Sequence, residues 1–181
     1  MTVDGPIEMA KVTTDTVALA WTPNEKTLQD NRVLTFLHRD EEELADFVRI
    51  TAATGDFIEL TASHLLLAQK DGQREAKIVE ARTLRVGDLI FRRDNTGEVI
   101  ASMSIVQKRG VYAPLTDSGT LIVNGFRTSC YGNVPSHDLV HTVLLPLRLK
   151  ERFLWRSSGL VDGIHPYCVF LMKAFPSMVR E

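Results

Sequence analysis

A threonine and a histidine stand three residues apart in Thr61-Ala62-Ser63-His64, where an alternating apolar segment gives way to a turn. At such a strand end both polar groups can point at one spot. The hydroxyl can hold a backbone group or the ring, and the imidazole can move a proton near neutral pH. The same residues also suit a strand-end histidine beside a threonine that bonds its own backbone. A second pair, in His137-Asp138-Leu139-Val140-His141, puts two imidazoles at i, i+4 on one helix face, as in the zinc-protease pattern His-Glu-x-x-His. Asp138 is a methylene shorter than the glutamate of that pattern, and no third ligand is placed downstream. Helix capping by His137 and packing by His141 account for the pair without a metal, so no cofactor is expected.

The elements that must position these residues are mostly β. Short apolar runs occur at Val17–Trp21, Arg32–Leu37 and Phe47–Thr51, and Phe57–Leu60 alternates out of a Gly55-Asp56 turn. Leu65–Ala68 runs to Lys70-Asp71-Gly72, a hairpin signal. Further runs are Leu89–Phe91, Val99–Val106, Val111–Ala113 and Thr120–Val123. Many short strands with regular turn signals predict an all-β fold rather than βαβ units. Gly55–Thr61 echoes Gly119–Gly125, and Asp15-Thr16-Val17 echoes Asp88-Leu89-Ile90, so the β region reads either as an internal repeat or as chance likeness between hairpins. The last third changes period. Asp138 to Arg152 has helical spacing, with Ser136 as N-cap and Pro146 as a kink or break. Arg156–Gly159 reads as a loop, and Ile164 to Val179 as a second helical stretch with Pro166 near its start. The expected division is a β-domain over 1–134 and a helical segment over 135–181.

Composition bounds the rest. The chain has 181 residues, 44% hydrophobic and 24% charged, with net charge −2, enough to bury a core and too evenly charged to leave a footprint for nucleic acid. No apolar run approaches the ~20 residues of a membrane-crossing helix. The N-terminus lacks a basic-then-apolar leader, as a processed or truncated fragment also would. Two cysteines, Cys130 and Cys168, do not make a disulfide scaffold. The last third is richer in large apolar side chains than its own core needs: Leu144, Leu145, Leu147, Phe153, Leu154 and Trp155, then Phe170, Leu171, Met172 and Phe175. These suit either packing on the β-domain or contact with lipid or a membrane.

Thr61-Ala62-Ser63-His64-Leu65-Leu66 resembles the Thr-x-x-His block that hedgehog C-terminal autoprocessing domains share with inteins. The run from Val111-Tyr112-Ala113-Pro114-Leu115-Thr116 through Gly119-Thr120 and Val123-Asn124 to Ser129-Cys130-Tyr131 resembles a block narrower to hedgehog proteins. Asp162-Gly163-Ile164-His165-Pro166-Tyr167 looks like that family's adduct-recognition segment. The likeness spans about Val3 to Met178. It implies a Hint-type pseudo-twofold β-fold with a small C-terminal helical segment, working in the secretory pathway inside a precursor with an upstream signalling segment. It also implies a self-cleavage. A cysteine at the domain start attacks the preceding carbonyl to give a thioester, and an alcohol, cholesterol in hedgehog itself, takes over the upstream acyl group.

Carried over by position, His64 is the acid that protonates the leaving amide nitrogen and Thr61 holds the scissile peptide or the ring. Cys130 matches an internal cysteine near the site, and a buried small hydrophobe remains an equal reading of it. His165 and Tyr167 fall in the adduct-binding segment, and a buried ring is an equal reading of His165. Two departures accompany the resemblance. The nucleophilic cysteine is expected several residues upstream of Met1. His38 stands where sterol-transferring members carry an aspartate that acts as base on the sterol hydroxyl. A histidine can still take a proton, so the second nucleophile is a sterol, another alcohol or water; the charged run Arg39 to Glu43 also suits a surface histidine. The rival reading is a lipid- or sterol-binding module without chemistry.

Overall fold

The computed structural model describes residues 2, 5–14, 16–22, 27–154 and 162–176. Val3, Asp15, Trp155, the loop at 156–159, Met178 and Val179 lie outside the described residues. The strands in chain order are β1 (Val17–Trp21), β2 (Leu28–Ala52), β3 (Phe57–Leu60), β4 (His64–Gln69), β5 (Lys77–Glu80), β6 (Leu89–Phe91), β7 (Gly97–Thr116), β8 (Thr120–Val123), β9 (Phe126–Gly132) and β10 (Gly163–Ile164). The helices are α1 (His137–Val143), α2 (Leu145–Leu149) and α3 (Pro166–Ala174). The fold is thus mostly antiparallel β, with α-helices confined to the C-terminal part among the described residues.

The apolar runs 32–37 and 47–51 are two stretches of one strand, β2, and 99–106 and 111–113 are two stretches of β7. These long strands pair antiparallel from Val33↔Thr116 to Ala52↔Ile100. Register shifts between Val33 and Thr35, Phe36 and His38, and Asp40 and Leu44 interrupt the alternation. Each extra residue bends the strand and turns the side-chain phase over. A long strand therefore reads in sequence as separate short ones.

The two halves repeat each other, with β1 matching β6, β2 matching β7, β3 matching β8 and β4 matching β9. The order β1-β2-β7-β6 reads the same from either end under that match, and β4 pairs with β9. The echoed glycines occupy equivalent turns, both left-handed: Gly55 at φ +90° and Gly119 at φ +69°.

One buried cluster joins Val33, Phe36, Leu115, Leu121 and Tyr131 to Val140, Leu144 and Leu147 of the helical part. The other holds Ile50, Ile58, Leu66, Ile90, Ile100 and Phe126. Each such large side chain, fully buried, contributes about 1.5–3 kcal/mol. The helical part thus packs on the strands through one face. Phe153, Phe170, Met172 and Phe175 remain exposed.

Ser136 is extended and its Oγ accepts the Leu139 amide at 3.1 Å, so Ser136, not His137, caps α1. The helix ends at Leu144 because the Pro146 ring would collide with the carbonyl of Thr142, and α2 restarts with Pro146 in its first turn. The predicted helix over 164–179 is shorter: Ile164 is in β10, opposite His38, and α3 starts at Pro166.

Candidate functional site

A cavity of about 530 Å³ lies where β2, β4, β7 and β9 meet α1 and α3, and His38, Thr61, His64 and Cys130 all line it. Its remaining wall is largely apolar, with Leu37, Pro114, Val140, Leu144, Leu171 and Met172 among the lining residues. That volume is in the range of small-molecule sites.

His64 opens β4, directly opposite Gly132 of β9. A Cβ at residue 132 would lie 3.4 Å from the His64 Cα and 3.5 Å from its Nδ1, in ordinary contact. Next to it, Asn133 N donates to the Ser63 carbonyl at 3.3 Å and the Ser63 hydroxyl donates to Asn133 Oδ1, so the strand start is stitched to the end of β9. The half-buried His64 places Nε2 2.9 Å from the Ser129 carbonyl. A carbonyl only accepts, so Nε2 carries the hydrogen and Nδ1 keeps the free lone pair. Burial lowers the His64 pKa, opposed in part by the Ser129 carbonyl. Its amide donates to the Thr61 carbonyl at 2.9 Å, closing the turn that brings Thr61 to the same cavity.

Ser129 is itself fixed. Its Oγ accepts the Tyr131 amide at 3.0 Å and lies 2.9 Å from His137 Nδ1. His137 stacks on His141 at 5.5 Å, and His141 Nδ1 is 2.8 Å from the Tyr131 hydroxyl. Burial, then the Arg148 guanidinium, bring His141 down to about 4. The Nδ1 atoms of both histidines are therefore bound to β9 side chains, and no cluster of three metal-ligating residues occurs among the described residues.

Cys130 is buried, its Sγ 3.5 Å from Thr116 Oγ1, and burial pushes its thiol up to about 11. Cys168 of α3 lines the cavity too, with its thiol raised by burial to about 11. Nothing in the sequence singled it out, because its place depends on how α3 docks.

His38 sits on β2 opposite Ala113 and Ile164. Its Nε2 is 3.0 Å from Glu43 Oε2. Glu43 is outside the cavity lining and reaches His38 from what reads in sequence as a solvated charge run. The neighbouring Arg39 is buried between the Phe36 and Tyr112 rings, at 5.1 and 5.2 Å, and donates to the Val12 and Ala10 carbonyls. It fastens the N-terminal segment beside the cavity.

His165 and Tyr167 are not among the lining residues. The buried His165 accepts the Tyr167 amide on Nδ1 at 3.1 Å and donates its own amide to the Leu37 carbonyl at 2.9 Å. Tyr167 donates its hydroxyl to the Val143 carbonyl at 3.2 Å. Both tie α3 to β2 and α1, and through them Leu171 and Met172 reach the cavity.

The Hint module family matches residues 5–179. Among curated relatives, a hedgehog protein of Drosophila hydei is 32% identical over 123 residues, covering 66% of this chain and 26% of its own length. Warthog protein 1 of Caenorhabditis elegans is 30% identical over 147 residues, covering 80% and 30%. The chain thus spans less than a third of either relative. Among solved structures, a bacterial intein-like domain from Clostridium thermocellum superposes with TM-score 0.58 at 20% identity, over 71% of this chain and 91% of that one. A DnaB intein from Synechocystis gives 0.54 at 12%, over 70% and 88%. At these identities the structures speak for the fold alone.

Proposed function

The chain belongs to the Hint-module family, in its hedgehog-type branch, and we propose that it is an autoprocessing domain that cuts the peptide bond joining it to an upstream segment of a secreted precursor. The observation that carries this reading is the convergence of Thr61, His64, His38 and Cys130 on one cavity, with His64 anchored so that Nδ1 is free.

In this reading a cysteine on the segment preceding Met1 is the nucleophile. Its thiol gives a proton to His64 Nδ1, and the sulfur attacks the preceding carbonyl. The carbon–nitrogen bond breaks as His64 returns that proton to the amide nitrogen, leaving a thioester and a free amine. The lowered pKa of His64 suits the return, because an imidazolium held in a desolvated site is a stronger acid than a free one. Thr61 positions the scissile peptide. An alcohol or water then resolves the thioester, with His38 as base. The apolar cavity suits a sterol-like alcohol, and residues 135–181 form its recognition segment, with His165 and Tyr167 setting α3 against it. Cys130 and Cys168 are poor nucleophiles here, since burial raises both thiols to about 11 and neither ionises readily.

A precursor carrying the cysteine ahead of this chain should release its upstream segment in dithiothreitol, seen by gel and intact mass, while the chain by itself stays whole. Cleavage of the chain by itself would place the nucleophile elsewhere. A second reading, a lipid- or sterol-binding module without chemistry, draws on the exposed Phe153, Phe170, Met172 and Phe175. It expects no cleavage of the precursor.

A further inference from the structure

A strand irregularity aims a carboxylate at the ring proposed as base. On β2, Asp40 pairs with Val111 and the next pairing is Leu44 with Arg109, so three residues of β2 face one of β7. Asp40 Oδ1 accepts the amides of both Glu42 and Glu43 at 2.9 Å, which fixes the bulge from inside. The bulge separates the neighbouring acids. Glu41 turns to Arg39 and Glu42 to Arg109, while Glu43 Oε2 reaches His38 Nε2 at 3.0 Å. On the strict alternation of a regular strand, residues 38 and 43 would lie on opposite faces. The bulge is what brings them together.

We propose that Glu43 is a positioning residue for resolution of the thioester: it holds His38 through Nε2–H and leaves Nδ1 as the atom that takes the proton of the incoming alcohol or water. The inference rests on the autoprocessing reading above and adds the partner that the base uses. A carboxylate so placed fixes tautomer and ring orientation and steadies the imidazolium that forms, the role of the third member of a catalytic triad. The step balances. The hydroxyl proton goes to Nδ1, the oxygen bonds to the thioester carbon, the carbon–sulfur bond breaks, and the thiolate recovers a proton from the imidazolium. Two charged residues line the cavity, Glu59 and Lys108; they pair at 2.9 Å, and Glu59 also holds Arg49 at 2.6 Å.

The test compares thiol-driven cleavage of the precursor by dithiothreitol with cleavage driven by cholesterol in detergent micelles and by water. Glu43 is partly exposed, so its removal should cost less than in a buried triad: Glu43→Ala should raise the ratio of thiol-driven to hydroxyl-driven cleavage on the order of tenfold. Glu43→Gln keeps an acceptor without the charge and should fall between Ala and the parent. Glu42→Gln, whose partner is the exposed Arg109, should leave the ratio unchanged. Ring ¹⁵N shifts of His38 at pH 8.5 should report an Nε2–H tautomer in the parent and a mixture in Glu43→Ala. An unchanged ratio in Glu43→Ala overturns the proposal, as does a changed ratio with an unchanged tautomer. A parent precursor untouched by dithiothreitol instead overturns the autoprocessing reading, and the ring shifts then still decide whether Glu43 sets the tautomer of His38.

Discussion

The two halves of the molecule cross between equivalent strands in different ways. In the second half, β8 and β9 pair from Thr120↔Ser129 to Val123↔Phe126. Their link is Asn124-Gly125, both left-handed at φ 48° and 85°. This is a tight two-residue hairpin turn. In the first half, β3 pairs with β2 while β4 pairs with β5, β6 and β9, and Thr61-Ala62-Ser63 spans the gap between them. The wider crossing lets His64 leave its own hairpin and reach the Ser129 carbonyl of the other half. A duplicated frame offers the same place twice, and candidate chemistry occupies the looser copy.

The largest effect is expected where that crossing carries the acid. In the precursor, His64→Ala should slow dithiothreitol cleavage by about 10²–10⁴-fold, because the amide nitrogen then leaves without its proton. Thr61→Ala should slow the same step by less, since it only positions groups. A Thr61→Ala loss equal to that of His64→Ala would make the whole crossing, not the imidazole, the functional unit.

His38 lies outside the duplicated crossing and should act on the later step alone. His38→Ala should lower alcohol- or water-driven release by about 10²-fold. Thiol cleavage should be nearly intact, because a small thiol is already partly ionised near pH 8. His38→Asp, which moves the site toward the sterol-transferring pattern, should gain cholesterol transfer. Equal loss of both cleavages in His38→Ala would erase the division between the two sites.

The matched glycines test the difference in packing. A Cβ at Gly55 meets nothing within 4 Å, whereas at Gly119 it would lie 2.5 Å from the Tyr131 hydroxyl and 2.6 Å from His141 Nδ1. Both backbones are left-handed, so Gly55→Ala should cost about 1 kcal/mol of strain. Gly119→Ala should cost about 2–4 kcal/mol, because the collision adds to the strain. Urea denaturation reads both, and equal costs would mean that Tyr131 and His141 move aside freely.

What the sequence made legible follows from what is local. Strands such as β1, β3, β6 and β8 are short apolar runs bounded by turns, and Ser136 and Pro146 act within their own helical turn. The long strands look broken in the sequence because their bulges reverse the alternation. The strand β9 does not stand out in the sequence because it buries Arg127, Thr128 and Ser129 along with its apolar residues. Their hydrogen bonds lie across strands: Arg127 donates to the carbonyls of Arg92 and Arg93, and Thr128 to that of Leu121 on the adjoining β8. In the site, Thr61 and His64 were legible as a local pair. Glu43 was not, because only the bulge separates it from its exposed neighbours. The Ser129 carbonyl was not either, because a backbone atom leaves no mark in a side-chain pattern.

The smallest effect concerns acid. His141, packed over Gly119 in the second half, is held neutral, its pKa brought down to about 4 by burial and by Arg148. In the unfolded chain it titrates near 6.5. Between those values the unfolded state binds the extra proton, so stability rises with pH across that window. The contribution is therefore present above about pH 6.5 and is lost as pH falls toward 4. His141 is only partly buried, so solvent screening reduces the loss to about 1 kcal/mol. His64, His137 and His165 are shifted in the same direction by burial, so the parent's acid loss is a sum over several rings. Replacing one ring isolates its share. His141→Gln keeps an acceptor for the Tyr131 hydroxyl and removes the titration, so urea stability of this variant should fall less steeply between pH 6.5 and 4 than that of the parent. Parallel curves would mean that His141 already takes its proton in the folded state. The tight packing that sets the second half apart from the first would then be looser than its short contacts imply.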